Sequence, residues 1–220
     1  MDCSGLTVAC VLWQGDFRGR TYSPEWVHRL RAMVARNLPT PHEFVCLSNV
    51  PIDGINVIPL QSDLPGWWSK LELFRHDLGK RVLYLDLDTL IVGDLSPLVE
   101  VDASFAAMPP SYMLPGGNGR ARGGEGVVDR CQTSCMVWDR GAVDYLWEEF
   151  ERGAIKRFRG DQDYISATAR KVEFLPRDCF IKLRHCPEGP PPKARVILSM
   201  PWKCEEAARK FEWVRAIWRR

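Results

Sequence analysis

The sequence carries little net charge, few histidines and no long apolar run. Thirty basic residues stand against 28 acidic ones, a balance of +2, which is too small to point by itself to nucleic acid or an anionic membrane as a partner. No stretch approaches the roughly eighteen consecutive apolar residues of a membrane span. The opening MDCSGLTVACVLW lacks the basic n-region and the apolar length of a signal peptide. Cysteines occur at positions 3, 10, 46, 131, 135, 179, 186 and 204, yet no Cys-x-x-Cys pair is among them. Cys10 and Cys46 sit in apolar strand-like runs, where a thiol behaves as a small hydrophobe, so zinc sites and disulfide frameworks are both disfavoured. A cytoplasmic protein with reduced thiols is expected. There is no internal repeat, and biased composition is confined to a Gly-rich and a Pro-rich loop.

What is present is an ordinary globular balance of 45% hydrophobic and 26% charged residues over 220 positions, suited to one domain spanning 1–220. LTVACVLW reads as a buried strand. SPEWVHRLRAMVARNL reads as a helix capped by Ser23, with Pro24 first and Trp26, Leu30, Met33, Val34 and Leu38 on one stripe. EFVCLSN and INVIPL read as strands, and WWSKLELFRHDLGK as a helix closed by Gly79. After the strand RVLYLDLDTLIVGDL come strand SFAAMPP, the loop PGGNGRARGGEG, strand SCMVWD, helix AVDYLWEEFERGA, a helix opened by GDQDYISATA, and strands VEFLP and RVILSM. This order predicts an α/β domain with a largely parallel sheet. The basic C-terminal segment AARKFEWVRAIWRR reads as a docked helix with a solvated face, peripheral attachment to a membrane being the alternative.

Asp86 and Asp88 interrupt an apolar run. At i and i+2 of a strand they lean to one face, and two unpaired carboxylates persist only at a solvated strand end or around a cation. Three readings stand at this point. The pair holds Mn²⁺ or Mg²⁺ together with a substrate diphosphate. Alternatively, Asp86 is the nucleophile of a haloacid-dehalogenase-type phosphatase, although Leu90 stands where that signature asks for Thr or Val. In the third, an aspartate caps the turn into GDLSPL. In sheets of this kind ligands sit at the carboxyl ends of strands, which favours a site.

The segment GWWSKLELFRHDLGKRVLYLDLDTLIVGDLSPL, followed by TSCMVWD and GDQDYIS in that order, resembles the nucleotide-sugar glycosyltransferases of the GT-A fold, specifically the glycogenin-like family 8 and its bacterial relatives. The resemblance covers residues 6 to 185. It implies a Rossmann-like, single-domain nucleotide-diphospho-sugar transferase fold with a mostly parallel, mixed central sheet. The implied activity is hexosyl transfer from a nucleotide sugar, UDP-linked, to a saccharide, lipid or protein acceptor, with retention of configuration and no role for nucleic acid. A non-catalytic nucleotide-sugar-binding module is the alternative.

Carried onto this chain, the resemblance assigns Asp86 and Asp88 to the metal and the donor, and Lys70 to the donor phosphate or sugar. Asp161 goes to the sugar hydroxyls and Gln162 next to the reacting carbon. Val11, Leu12 and Ser48 lie on the nucleotide-facing strands, Gln132 becomes a sugar contact, and Lys203 takes the place of a late phosphate-binding lysine. On the residues alone, Lys70 is a solvated helix lysine, and Asp161 and Asp163 serve the start of a helix as cap and first-turn acid. One departure stands out: Ser199 occupies the position of a metal-binding histidine, with His185 the alternative ligand. Arg120, Arg122 and Arg130 punctuate the Gly-rich loop, read as a lid or as a disordered insertion. Trp67 and Trp68 read as sugar-stacking or core residues.

Overall fold

The computed structural model describes residues 5–17, 22–121, 123–124, 128–199 and 204–218. The first three strands are β1 (Leu6–Leu12), β2 (His42–Ser48) and β3 (Asn56–Pro59), with helix α1 (Pro24–Asn37) between the first two. Helix α1 buries Trp26, Val27, Leu30, Met33 and Val34 at helical spacing. Pro24 takes its first position, but the Ser23 side chain makes no cap bond. The Ser23 carbonyl instead accepts from Trp26 N at 3.0 Å.

The WWSKLELF segment differs from expectation. It is a 3₁₀ helix over Gly66–Arg75, and Gly79 (φ 122°) belongs to the following turn. A run of this length is uncommon for 3₁₀ geometry, whose three-residue repeat eclipses i and i+3. That repeat puts Gly66 with Ser69, and Trp67 with Lys70, on the side that faces a cavity. Trp68 turns into the core. The segment is pinned by Glu72, which is fully buried and accepts from Gln61 N and Ser62 N, each at 2.8 Å.

RVLYLDLDTLI is two strands rather than one: β4 (Arg81–Leu85) and β5 (Thr89–Ile91). Asp86 N still reaches across to Ser134 O at 2.9 Å, but Thr89 turns back to the Asp86 carbonyl through N (3.3 Å) and Oγ1 (2.8 Å). The two aspartates therefore flank a turn at a strand end, where carboxylates keep access to water. Then come α2 (Ser96–Val99), β6 (Phe105–Met108) and β7 (Gln132–Asp139). AVDYLWEEFERGA is split into α3 (Tyr145–Glu148) and α4 (Ala154–Arg157), where Glu148, Glu149 and Glu151 crowd together and Gly153 follows. Next are α5 (Asp161–Thr168), β8 (Glu173–Phe174), β9 (Phe180–Lys182), β10 (Val196–Leu198), α6 (Cys204–Lys210) and α7 (Glu212–Trp218).

The central sheet runs β3-β2-β1-β4-β7-β6-β8. All its ladders are parallel except the two made by β7. A second sheet, β5-β10-β9, receives the chain after the Asp86 turn. Alternation along β1 sends Val8, Cys10 and Leu12 toward α1 and the second sheet, and Ala9 and Val11 toward Trp68 and the 3₁₀ helix. The C-terminal segment is docked: Trp218 packs on Trp26 at 5.0 Å beneath Arg29, and Trp213 Nε1 donates to Pro187 O at 2.9 Å. Among the described residues no helix is long and apolar enough to cross a membrane.

Candidate functional site

At the carboxyl ends of β1 and β4, the 3₁₀ helix, β7 and the start of α5 enclose a cavity of about 510 Å³. Its floor is built on Lys70. The ammonium lies 2.9 Å from Asp161 Oδ2 and 3.0 Å from Asp86 Oδ1, and donates to Thr133 Oγ1 at 3.3 Å and Thr133 O at 3.4 Å. Thr133 Oγ1 donates onward to Asp161 Oδ2 at 3.2 Å. Tyr84 OH donates to Asp86 Oδ1 at 2.6 Å, with its ring 5.1 Å from the ammonium. One oxygen of each carboxylate is thus saturated, and Asp86 Oδ2 and Asp161 Oδ1 take no hydrogen bond among the described residues. The Lys70 and Asp161 side chains are 7% and 8% exposed, so the network is nearly dry.

Burial alone would lower the Lys70 pKa, but the attraction of Asp161 and then Asp86 overcomes it, and the ammonium is held protonated well beyond the usual lysine range. Burial raises the Asp161 carboxyl above its ordinary value, with Lys70 pulling the other way. Tyr84 is pushed up by burial and then by the Asp86 charge, so its phenol stays a donor.

Asp88 opens onto the same cavity and accepts from Tyr22 OH at 3.2 Å. The β5–β10 ladder pairs Thr89 with Leu198, and its register continued puts Ser199 opposite Asp88. Ser199 is 1% exposed and its Oγ has no hydrogen-bond partner among the described residues, while the neighbouring Cys204 thiol donates to Asp88 O at 3.5 Å. His185 does not take the role considered for it: it is exposed, packs its ring against Gly116 and receives a hydrogen bond from Arg184 at 3.2 Å. No group of three His, Cys, Asp or Glu side chains suited to a metal occurs among the described residues. Two hard carboxylates do match the way a Mg²⁺-class ion is commonly held, by one or two protein carboxylates with water and substrate phosphates completing the shell. The donor set therefore fits a divalent ion held jointly with a diphosphate by Asp86 and Asp88.

The remaining sequence candidates divide. Gln162 lines the cavity beside Asp161. Gly160, not Asp161, is the N-cap of α5, so Asp161 is free of capping duty. Of the three strand residues, only Val11 faces the cavity. Leu12 is fully buried on the α1 side, and Ser48 is engaged by Val50 N (3.1 Å) and Leu60 N (3.0 Å). Gln132 pairs with Met108 where the β6–β7 register shifts, and its amide donates to Ser111 Oγ away from the cavity. Its neighbour Thr133 points in, as strand alternation requires. Lys203 and Arg122 lie outside the described residues. Arg130 is tied back by its N to Ser166 Oγ at 3.2 Å and does not line the cavity.

Sequence reasoning missed Tyr84, Tyr22, Thr133, Trp13, Phe17 and Arg159, all cavity-lining. Tyr84 carried a readable signal, since it precedes Asp86 by two residues on one strand face. Trp13, Phe17 and Trp67 form a continuous aromatic wall, with ring centroids 6.3 and 4.7 Å apart and near-perpendicular planes. Gly66 (φ 56°) accommodates Phe17, as a Cβ there would come within 2.1 Å of its ring.

No protein-family profile and no curated protein sequence matches the chain. Solved structures do. The glycosyltransferase GlyE of Streptococcus pneumoniae TIGR4 superposes with a TM-score of 0.64 at 12% identity, over 98% of this chain and 63% of GlyE. An active-site mutant of LgtC gives 0.61 at 14% identity, over 96% of this chain and 95% of LgtC. The galactosyltransferase LgtC in complex with donor and acceptor sugar analogues gives 0.59 at 14% identity with the same coverage. The chain thus spans under two thirds of GlyE and nearly all of LgtC. With the strand order and the carboxylate-lined cavity at the strand ends, these likenesses establish that the chain has the GT-A glycosyltransferase fold.

Proposed function

We propose that this chain is a glycosyltransferase that moves a hexose from a nucleotide sugar, UDP-linked, to an acceptor hydroxyl with retention of configuration. The observation that carries the reading is Lys70, which ties Asp86 at the end of β4 to Asp161 at the start of α5 across one cavity of this fold. Asp86 and Asp88 hold Mn²⁺ or Mg²⁺ with the donor diphosphate. An ion held there would supply Lewis-acid stabilisation for the negative charge that grows on the diphosphate as the bond from C1 to its phosphate oxygen breaks. Asp161 presents Oδ1 to the sugar hydroxyls, and Gln162, next in the chain, stands toward the reacting carbon. Lys70 has its hydrogen bonds committed to protein partners, so its first task is to fix both carboxylates in position. A contact with donor phosphate requires it to exchange one of them. The aromatic wall shields the cavity from water, limiting hydrolysis of the donor.

The test is incubation with UDP-glucose or UDP-galactose and Mn²⁺, following UDP release and donor binding by calorimetry. Turnover is expected in the wild type and lost in Asp161→Asn, which should still bind UDP through Asp86 and Asp88. Binding without release in the wild type would instead support a non-catalytic module. Absence of both binding and release would end the sugar-transfer reading.

A further inference from the structure

The aromatic wall ends on a cation that the sugar-transfer reading leaves idle. Trp13 meets Phe17, Phe17 meets Trp67, and the Trp67 indole lies over Gly160, where a Cβ would stand 2.8 Å from Nε1. The next residue back is Arg159, which lines the cavity with its side chain exposed. The other charged residues on the lining are engaged: Lys70, Asp86 and Asp161 with one another, Asp88 with Tyr22, and Asp163 with Val128 N. Arg159 has no hydrogen bond, ion pair or ring contact among the described residues.

Position along the cavity says what this end can meet. Asp88 follows β4 and accepts from Tyr22, and the wall begins with Trp13 just past β1. Asp161 and Gln162 open helix α5, and Arg159 and Gly160 immediately precede them. A donor with its diphosphate at Asp86 and Asp88 and its sugar at Asp161 leaves the Trp67–Arg159 end to the second substrate. An indole offers a flat apolar face to the C–H face of a pyranose. A guanidinium offers a planar fork matched to a carboxylate or phosphate.

We propose that Trp67 and Arg159 form the acceptor subsite and that the acceptor is an acidic saccharide. Its ring lies on the indole and its carboxylate or phosphate takes the Arg159 fork. The assignment of this end to the acceptor rests on the sugar-transfer reading; recognition of an anionic sugar there can be measured without it.

The probes are methyl β-D-glucuronide and glucose 6-phosphate against methyl β-D-glucoside, titrated into the full chain and followed by tryptophan fluorescence. At least one anionic probe is expected to bind about fivefold more tightly than the neutral glycoside, the scale of a solvent-exposed charge pair. That preference should vanish in Arg159→Met and return in part in Arg159→Lys. The affinity for UDP with Mn²⁺ should be unchanged in both. Equal affinity for all three probes in the wild type, or a preference that survives Arg159→Met, would overturn the proposal. So would a fall in UDP affinity in Arg159→Met, which would give the guanidinium to the donor diphosphate. A wild-type chain that prefers the anionic sugar yet binds no UDP would support anion recognition at Arg159 while overturning the transfer reading.

Discussion

Lys70 is buried with two carboxylates around it, and that single fact governs the behaviour expected of the site. Removing the ammonium leaves Asp86 and Asp161 facing each other across a nearly dry gap, a loss that costs about 3–5 kcal/mol in comparable buried pairs. Lys70→Met should therefore lower the urea midpoint with an unchanged m-value, and sugar transfer should fall by about 100-fold or more. The pH response follows from Asp161. Its folded pKa lies above the ordinary 3.8 because burial outweighs Lys70. Its ionisation therefore subtracts stability as pH rises from the ordinary value through the folded one. On the way down, Asp161 takes up its proton earlier than a solvated aspartate. The acid limb of the kcat/KM profile should accordingly lie above pH 3.8, and in Lys70→Met, where the opposing charge is gone, it should move higher still. Tyr84→Phe removes one donor from Asp86 and should cost about 1 kcal/mol in chemical denaturation.

The elements hold these residues through a few fixed joints. Helix α5 is fastened to β7 by Ser166, whose Oγ accepts from Arg130 N (3.2 Å) and Cys131 N (2.9 Å) and donates to Cys131 O (3.2 Å). Ser166→Ala strands buried backbone groups, so a loss of about 1–3 kcal/mol is expected, with kcat falling more than KM rises as Asp161 drifts from Thr133. A thermal melt and steady-state kinetics read the two effects separately. Gly160→Ala should leave the melt nearly unchanged, because φ is −173°, an extended value open to any residue, yet displace Trp67 and weaken acceptor binding. At this scale the sequence was only partly legible. The stripe of α1 and the strands β1, β2 and β4 follow from apolar periodicity. The break between β4 and β5 does not, because Leu87 keeps the run apolar through the turn. Nor does the 3₁₀ geometry that parts Trp67 from Trp68, since Trp67, Trp68, Leu71, Leu73 and Phe74 fit either period.

Over the whole molecule, the order of strands and helices was enough to expect a mostly parallel α/β sheet, and the motifs along it pointed to Lys70, Asp86 and Asp161, which meet in space despite wide separation in the chain. The second sheet escaped although β10 lay within the expected strand RVILSM, because β5 reads as one run with β4 and β9 is only three residues long. The aromatic wall and Arg159 escaped for another reason. They come from three distant segments, and a single arginine in AIKRFRGDQD carries no pattern of its own. What the fold achieves is to bring one acidic floor and one aromatic wall to the ends of the same strands. In the proposed function the floor receives a diphosphate through a divalent ion at Asp86 and Asp88. Calorimetric titration of UDP into the full chain with Mn²⁺, with chelator, and into Asp88→Asn with Mn²⁺ tests it most directly. Binding should be present in the first case and weakened by about tenfold or more in the other two. UDP affinity that is the same in all three would contradict the account.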